Sequence, residues 1–460
     1  MIQDMTKGSV LRQIVIFAIP LFIGNIFQQL YNMVDAIVVG RFVGKNALAA
    51  VGTSFPAMFL LVALVMGLTT GASIVVSQLF GAGELKKMRR AISTAFIFLI
   101  LCAIGLTVLG LFIARNLLLL LKTPPEVIDG ATVYLQIIFA GLLFMFLYNT
   151  VAAILRALGD SRTPLYFLIV SSLLNIGLDL LFVLRFNLGV AGVAWATVIS
   201  QAVSAVLSII YVYKRVELLR FYPRDLVFDW ELFVQSVRLG IPASIQQTIV
   251  SLGMIAVQGL VNSFGSVTMA AYTAAGRIDS IAMMPIMNLG LAVSTFTAQN
   301  IGAGKLNRVR RGYKETLVMV AACCVVTSTI ILRFGPNLIQ LFVEAGEVEV
   351  IAQGNDYITV VSFFYIIMGL LFVTNGVLRG SGDMAVSMAS TIVNLVVRVA
   401  AAYYLSSKPA IGFRGIWWSI PIGWCCGFFV SYLRYRSGKW TEKGVVNAVS
   451  RRTAEAETLL

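Results

Sequence analysis

Residues 164–184 read PLYFLIVSSLLNIGLDLLFVL, twenty-one residues that are almost wholly apolar yet carry Asn175 and Asp179. A run of about 20 apolar residues is the length a helix needs to cross a hydrocarbon layer about 30 Å thick. A charged side chain at that depth costs roughly 2.5–3.5 kcal/mol on insertion scales, so it faces the interior of a bundle and needs a partner, a proton or an ion. The stretch therefore sets two questions at once, the architecture and the purpose of the aspartate.

Comparable runs recur along the chain. Of its 460 residues, 59% are hydrophobic and only 12% charged, with a mean hydropathy of +0.89. A soluble chain of this size carries about a quarter charged residues. Twelve spans are predicted, at about 13–38, 47–78, 92–114, 131–155, 164–185, 189–213, 233–263, 270–299, 315–333, 355–378, 385–405 and 411–433. The fold class that follows is an all-α membrane protein, with no cleavable signal peptide ahead of its first span.

The net charge of +14 is a matter of topology. With the N-terminus placed in the cytoplasm, twenty-five of the thirty-five basic residues fall in cytoplasmic segments such as Lys86–Arg90 and Lys305–Lys314. Eight fall outside, Arg41 and Arg185 among them. This is the positive-inside pattern and predicts that both termini are cytoplasmic. It argues against a nucleic-acid partner and for a lipid bilayer as the chain's surroundings. The five cysteines lie in apolar runs, and there is no histidine, so proton chemistry must rest on carboxylates.

The chain repeats itself after about 222 residues. AIPLFIGNI at 18–26 faces GIPASIQQT at 240–248, aligning Pro20 with Pro242. SQLFGAGELKKMRRA at 77–91 faces AQNIGAGKLNRVRRG at 298–312. RALGD at 156–160 faces RGSGD at 379–383, and GVAW at 192–195 faces GIWW at 415–418. Two pseudo-symmetric six-helix bundles are expected, an N-lobe at 1–213 and a C-lobe at 233–435. A cytoplasmic linker at 214–232 joins them and a cytoplasmic tail at 436–460 follows. Such repeats are common in secondary transporters.

Within the first bundle, polar side chains gather at one depth. Gln28, Tyr31, Asn32 and Asp35 fall at i, i+3, i+4 and i+7 of the first helix, and Asn175 and Asp179 at i and i+4 of the fifth. Asp35 and Asp179 each precede a basic outer-end residue, Arg41 or Arg185, by six positions. At 1.5 Å per residue both stand roughly 9 Å below that end. Thr197 on the sixth helix reaches a similar level, with Gln201 and Ser204 on the same stripe. Two carboxylates in such a pocket are expected to hold a proton or a hard cation such as Na⁺ between them. The seventh helix shows only Gln247, Ser251, Gln258 and Asn262. Arg277 with Asp279, and Arg398 with Asn394, read either as a structural ion-pair network or as part of a cavity wall. Met283, Met284 and Met287 read as adaptable cavity lining or as packing.

These blocks together resemble the multidrug and toxic compound extrusion (MATE) family over about residues 10–440. The resemblance rests on IPLFIGNIFQQLYNMVDAIVVGRFVGKNALAAVG, the paired GAG segments, LRALGDSRTP, and NIGLDLLF followed by GVAWATVISQ. It is closest to the DinF-like branch, and it implies that Asp35, Asn175, Asp179 and Thr197 form a shared H⁺/Na⁺ site and that the first helix bends at Pro20. It further implies a secondary antiporter of the bacterial inner membrane exporting small organic, mostly cationic compounds by alternating access. No cofactor beyond the coupling ion, no catalytic residue, no metal beyond Na⁺ and a monomer are expected. A flippase for a lipid-linked precursor is the alternative, and it would need a phosphate-holding cavity around Arg277 and Arg398. A major-facilitator transporter and a membrane enzyme find less in the sequence to support them.

Overall fold

The computed structural model describes residues 2–121, 123–220, 226–344 and 346–445. Residues 221–225 of the linker expected at 214–232, and 446–460 of the tail expected at 436–460, lie outside the described residues. Among those described there is helix and turn but no strand. The helices are α1 (Val10–Val38), α2 (Lys45–Gly81), α3 (Leu85–Leu120), α4 (Pro125–Ala140), α5 (Leu142–Ala157), α6 (Arg162–Leu180) and α7 (Gly189–Arg215). The second series is α8 (Trp230–Asn262), α9 (Ser266–Gly302), α10 (Leu306–Gln340), α11 (Val348–Phe363), α12 (Tyr365–Ser381), α13 (Met384–Ser406) and α14 (Arg414–Arg436).

Ten single helices are long and apolar enough to span a bilayer, and two bent pairs bring the number to twelve. The expected continuous spans at 131–155 and 355–378 are corrected here. Each is a broken helix, α4 with α5 bent by 49° and α11 with α12 by 52°. The breaks fall at Gly141 and at Phe364. At Gly141 a Cβ would collide with the Val198 side chain, so the missing side chain is what lets the bend sit against α7.

The chain divides into two compact units that interleave along the sequence. One unit contains Pro20–Phe80 and Glu84–Ser244, the other Asp4–Ile19, Gly81–Gly83 and the chain from Ile245 onward. Helix α1 is thus shared at Pro20, and α8 just after Pro242. The reason lies in what the first turns of each repeat bind. In the second unit the Met5 N–H donates to Gln299 Oε1 (2.8 Å), Asn300 Nδ2 donates to Met5 O (3.1 Å), and Arg308 donates to the carbonyls of Met5, Lys7 and Gly8 and to Gln13 Oε1. In the first unit the repeat-related segment is held the same way, Val227 N–H donating to Ser93 Oγ (2.8 Å) and Asp229 N–H to Thr94 Oγ1 (2.9 Å).

Close helix contacts in both units use small residues, as packing in lipid favours. In the first unit, Gly67 and Gly71 of α2 lie directly on Ser236, Gly240 and Ser244 of α8. In the second, Gly376 and Gly380 of α12 lie on the backbone of α9 at Gly290 and Ser294. A Cβ at Gly71 or Gly380 would fall inside the facing backbone.

Candidate functional site

The C-terminal ends of α1 and α6 are built alike. Each α-helix passes into a five-residue π turn, Val39–Val43 after α1 and Leu181–Arg185 after α6. Single π turns inside helices are rare and occur frequently at functional sites. Val38, Val39, Ala47, Val183 and Val193 form a buried apolar cluster there, with Val34, Val43, Val51 and Val190 packed around it. Asp35 and Asp179 precede this cluster along their helices.

The first unit brings together the four residues expected to share a site. The carboxyl groups of Asp35 and Asp179 lie within hydrogen-bonding reach of one another. Asp179 is fully buried, Asn175 2% exposed and Thr197 8% exposed. With its amide oriented to satisfy both neighbours, Asn175 donates to Asp179 Oδ2 (3.0 Å) and accepts from the Thr197 N–H (3.2 Å). Thr197 Oγ1 donates to the Val193 carbonyl at 3.1 Å, which fixes its rotamer. Tyr31 reaches the Thr197 side chain and lies near both aspartates. One oxygen on each aspartate, Asp35 Oδ1 and Asp179 Oδ1, is buried without a hydrogen-bond partner. Among the described residues neither aspartate has an ion-pair partner. The arrangement offers convergent oxygen ligands and unbalanced negative charge.

Tyr134 of α4 was not anticipated. Its ring is 6% exposed, and it lies within electrostatic range of Asp35, Asp179 and Tyr31. In sequence it falls on the apolar stripe Val127, Ile128, Ala131, Leu135 and Ile138, where a tyrosine reads as packing.

The remaining residues singled out in the sequence are dispersed. Gln28 and Asn32 are exposed on α1, and Gln201 is half-buried on α7, all in the first unit. In the second unit Gln247 is exposed, and Ser251 is half-buried and bonded back to the Gln247 carbonyl (3.2 Å). Met284 is packed in the core at 8% exposure, whereas Met287 is 46% exposed. Pro20 lies inside a helix that continues through it. Among the described residues no three His, Cys, Asp or Glu side chains cluster as a metal site.

In the second unit the charges take another form. The guanidinium of Arg277 stacks over the Phe342 ring (5.8 Å) beside a groove of about 410 Å³ lined by Ser266, Met269 and Thr273. Asp279 accepts hydrogen bonds from Tyr365 (2.7 Å) and Tyr357 (3.4 Å), with Arg398 in electrostatic range.

A polytopic helical protein of two repeated bundles, with a buried carboxylate pair in one of them, is a multi-pass membrane transporter. Residues 20–181 and 242–404 each match the MatE family, one match per repeat, and the chain belongs to that family. It is 34% identical over 438 residues to a probable multidrug resistance protein, YpnP, of Bacillus subtilis (strain 168), covering 95% of this chain and 97% of that one. A multidrug resistance MATE family transporter of the MOP superfamily, solved in an outward-facing conformation, superposes with a TM-score of 0.88 at 25% identity, covering 95% of this chain and 98% of that one. A MATE protein solved in a bent conformation gives 0.88 at 26% identity, covering 96% and 98%.

Proposed function

We propose that the protein is a secondary antiporter of the bacterial inner membrane that exports organic, mostly cationic compounds in exchange for H⁺ or Na⁺. The observation that carries this reading is the pairing of Asp35 with Asp179 inside the first unit, without a basic partner among the described residues. Like charges this close, out of water, are stable only with a proton shared between them or a cation bound by both. Asn175, Thr197 and Tyr31 supply the further oxygen atoms that a hard cation requires. Naming of relatives as multidrug resistance proteins supports the choice of cargo.

Coupling requires only that ion and cargo favour different conformations. The ion enters from outside, binds at Asp35 and Asp179, and favours the state that releases cargo outward. Cargo arriving from the cytoplasm favours the state that discharges the ion inward. Pro20 is the natural bending point, because proline removes an i→i−4 hydrogen bond from α1 and because the chain passes there from one compact unit to the other. A solved relative in a bent conformation is consistent with that role. Both termini lie in the cytoplasm, the protein acts as a monomer, and the site resembles that of the DinF-like branch.

The test uses purified protein in liposomes, a fluorescent organic cation, and pH and Na⁺ gradients imposed one at a time. Wild type is expected to move the cation under at least one gradient, and Asp179→Asn under neither. Movement that survives in Asp179→Asn would remove the carboxylate pair from the mechanism. Wild type inert to both gradients would end the multidrug reading and bring forward a lipid-linked substrate.

A further inference from the structure

The repeat can be extended residue by residue, and the structure fixes its register. In the first unit a Cβ at Gly24 of α1 would lie 3.4 Å from the Leu168 side chain of α6. At the repeat-related positions of the second unit, Gln246 of α8 donates to Thr391 Oγ1 of α13 at 2.6 Å. The same helix pair therefore meets at the same place in both units. In this register Asn175 corresponds to Arg398, Asp179 to Ala402 and Asp35 to Val257. Tyr31 corresponds to Gly253, whose missing side chain leaves room for Leu395.

The second unit thus keeps the frame of the ion site and inverts its polarity. Both carboxylates have become apolar, and the amide between them has become a guanidinium. The surroundings of Arg398 leave that guanidinium short of acceptors. It is half-buried on α13, pressed against α14 where Gly423 lies beside both Asn394 and Arg398. Its Nε is buried without a hydrogen-bond partner, as is Asn394 Oδ1 one turn away. Arg398 belongs to no ion pair among the described residues. Asp279 balances its charge at a distance, but the Asp279 oxygens are engaged by Tyr365 and Tyr357. An arginine within a membrane span is costly, faces the bundle interior or a water-filled cavity, and marks a substrate or ion path. A guanidinium also presents the paired donors that fit a carboxylate.

We propose that Arg398 is the contact for an anionic group, a carboxylate carried by the exported compound. This rests on the efflux reading above. Arg398 takes the carboxylate through its terminal amines. Asp279, held by its two tyrosines, keeps the empty site near neutrality.

The test compares a xanthene dye bearing a free carboxylate with its methyl ester, a plain cation of nearly the same shape. Binding of each dye to the purified full-length protein is read by fluorescence polarisation, and export is read in liposomes under the effective gradient. Arg398→Gln is expected to weaken the carboxylate dye roughly tenfold or more while leaving the ester within about twofold, since a hydrogen bond to a charged group is at stake for one dye only. Arg398→Lys, which keeps the charge but loses the fork, is expected to recover part of the difference. Equal loss of both dyes would make Arg398 a structural residue and overturn the proposal, and so would equal retention. Wild type that binds both dyes but transports neither would sink the efflux reading instead, with the binding ratio still deciding the role of Arg398.

Discussion

The two units solve one packing problem alike and one electrostatic problem in opposite ways. Gly71 against the α8 backbone and Gly380 against the α9 backbone are close helix contacts of the same type, one in each unit. The polar positions of the repeat have diverged. Where the first unit sets Asp35, Asn175 and Asp179, the second sets Val257, Arg398 and Ala402. A duplicated bundle can hold its scaffold constant through small residues and vary a handful of interior positions to change which sign of charge it receives. Burial is what makes so few substitutions sufficient, because one charge in a low-dielectric interior outweighs many at a wetted surface.

The comparison breaks most completely if the first unit tolerates the residue found in the second. Asn175→Arg places a guanidinium on Asp179, satisfies both carboxylates internally, and leaves nothing for a proton or Na⁺ to neutralise. Gradient-driven export is expected to vanish, as in Asp179→Asn, while the protein still purifies as a single species. Coupled transport at near wild-type rate in Asn175→Arg would show that net charge at this place is not what couples. The scaffold half of the comparison is tested by Gly71→Leu and Gly380→Leu. Each forces a side chain into a facing backbone, where over-packing costs about 1–3 kcal/mol or more. Both are expected to lower the yield of folded protein and its melting temperature in detergent. A large loss in one unit and none in the other would mean that the two close contacts do not carry equal weight. The selectivity change at Arg398, confined to carboxylate-bearing cargo, is the next smaller effect.

The sequence made the number of spans, the duplication and the gathering of Asp35, Asn175, Asp179 and Thr197 legible because each leaves a periodic or costly mark. Apolar runs have the length of a bilayer, the repeat has four ordered blocks, and an aspartate within such a run demands a partner. The broken spans at Gly141 and Phe364 left no such mark, since hydropathy measures composition and is blind to a 49° or 52° bend. The sharing of α1 and α8 between compact units was equally hidden. It depends on Arg308 and Gln299 reaching backbone carbonyls and amides of residues almost three hundred positions away. Tyr134 was missed because a tyrosine on an apolar helical stripe gives the same pattern whether it packs or faces a carboxylate.

A last comparison sets two repeat-related aspartates side by side, Asp160 in the first unit and Asp383 in the second. Asp383 is 3% exposed and accepts from Arg434 Nε at 2.6 Å, so Asp383→Ala strands a guanidinium that is itself only 21% exposed. Removing one partner of a buried pair costs roughly 3–5 kcal/mol, and partial exposure of Arg434 puts the expectation at the lower end or below it. Asp160 caps the start of α6, accepting from the Arg162 and Thr163 N–H groups (3.1 and 3.0 Å) and from Thr163 Oγ1 (2.7 Å). Its loss is expected to cost only about 1 kcal/mol, the usual worth of such a cap. Burial pushes the Asp160 carboxyl up, but the nearby N-terminal amine and the hydrogen bonds from Thr163 together outweigh it and hold the group below the ordinary carboxylate value. The stabilisation is therefore complete above the unfolded-state value and lost as pH falls through the lower folded one. Thermal melts in detergent at neutral pH should rank Asp383→Ala below Asp160→Ala, with the Asp160→Ala deficit shrinking as the buffer is acidified into that window. An Asp160→Ala deficit that stayed constant down to the lowest pH would mean that the side chain acts through its shape, and that the cap bonds contribute nothing to holding α6.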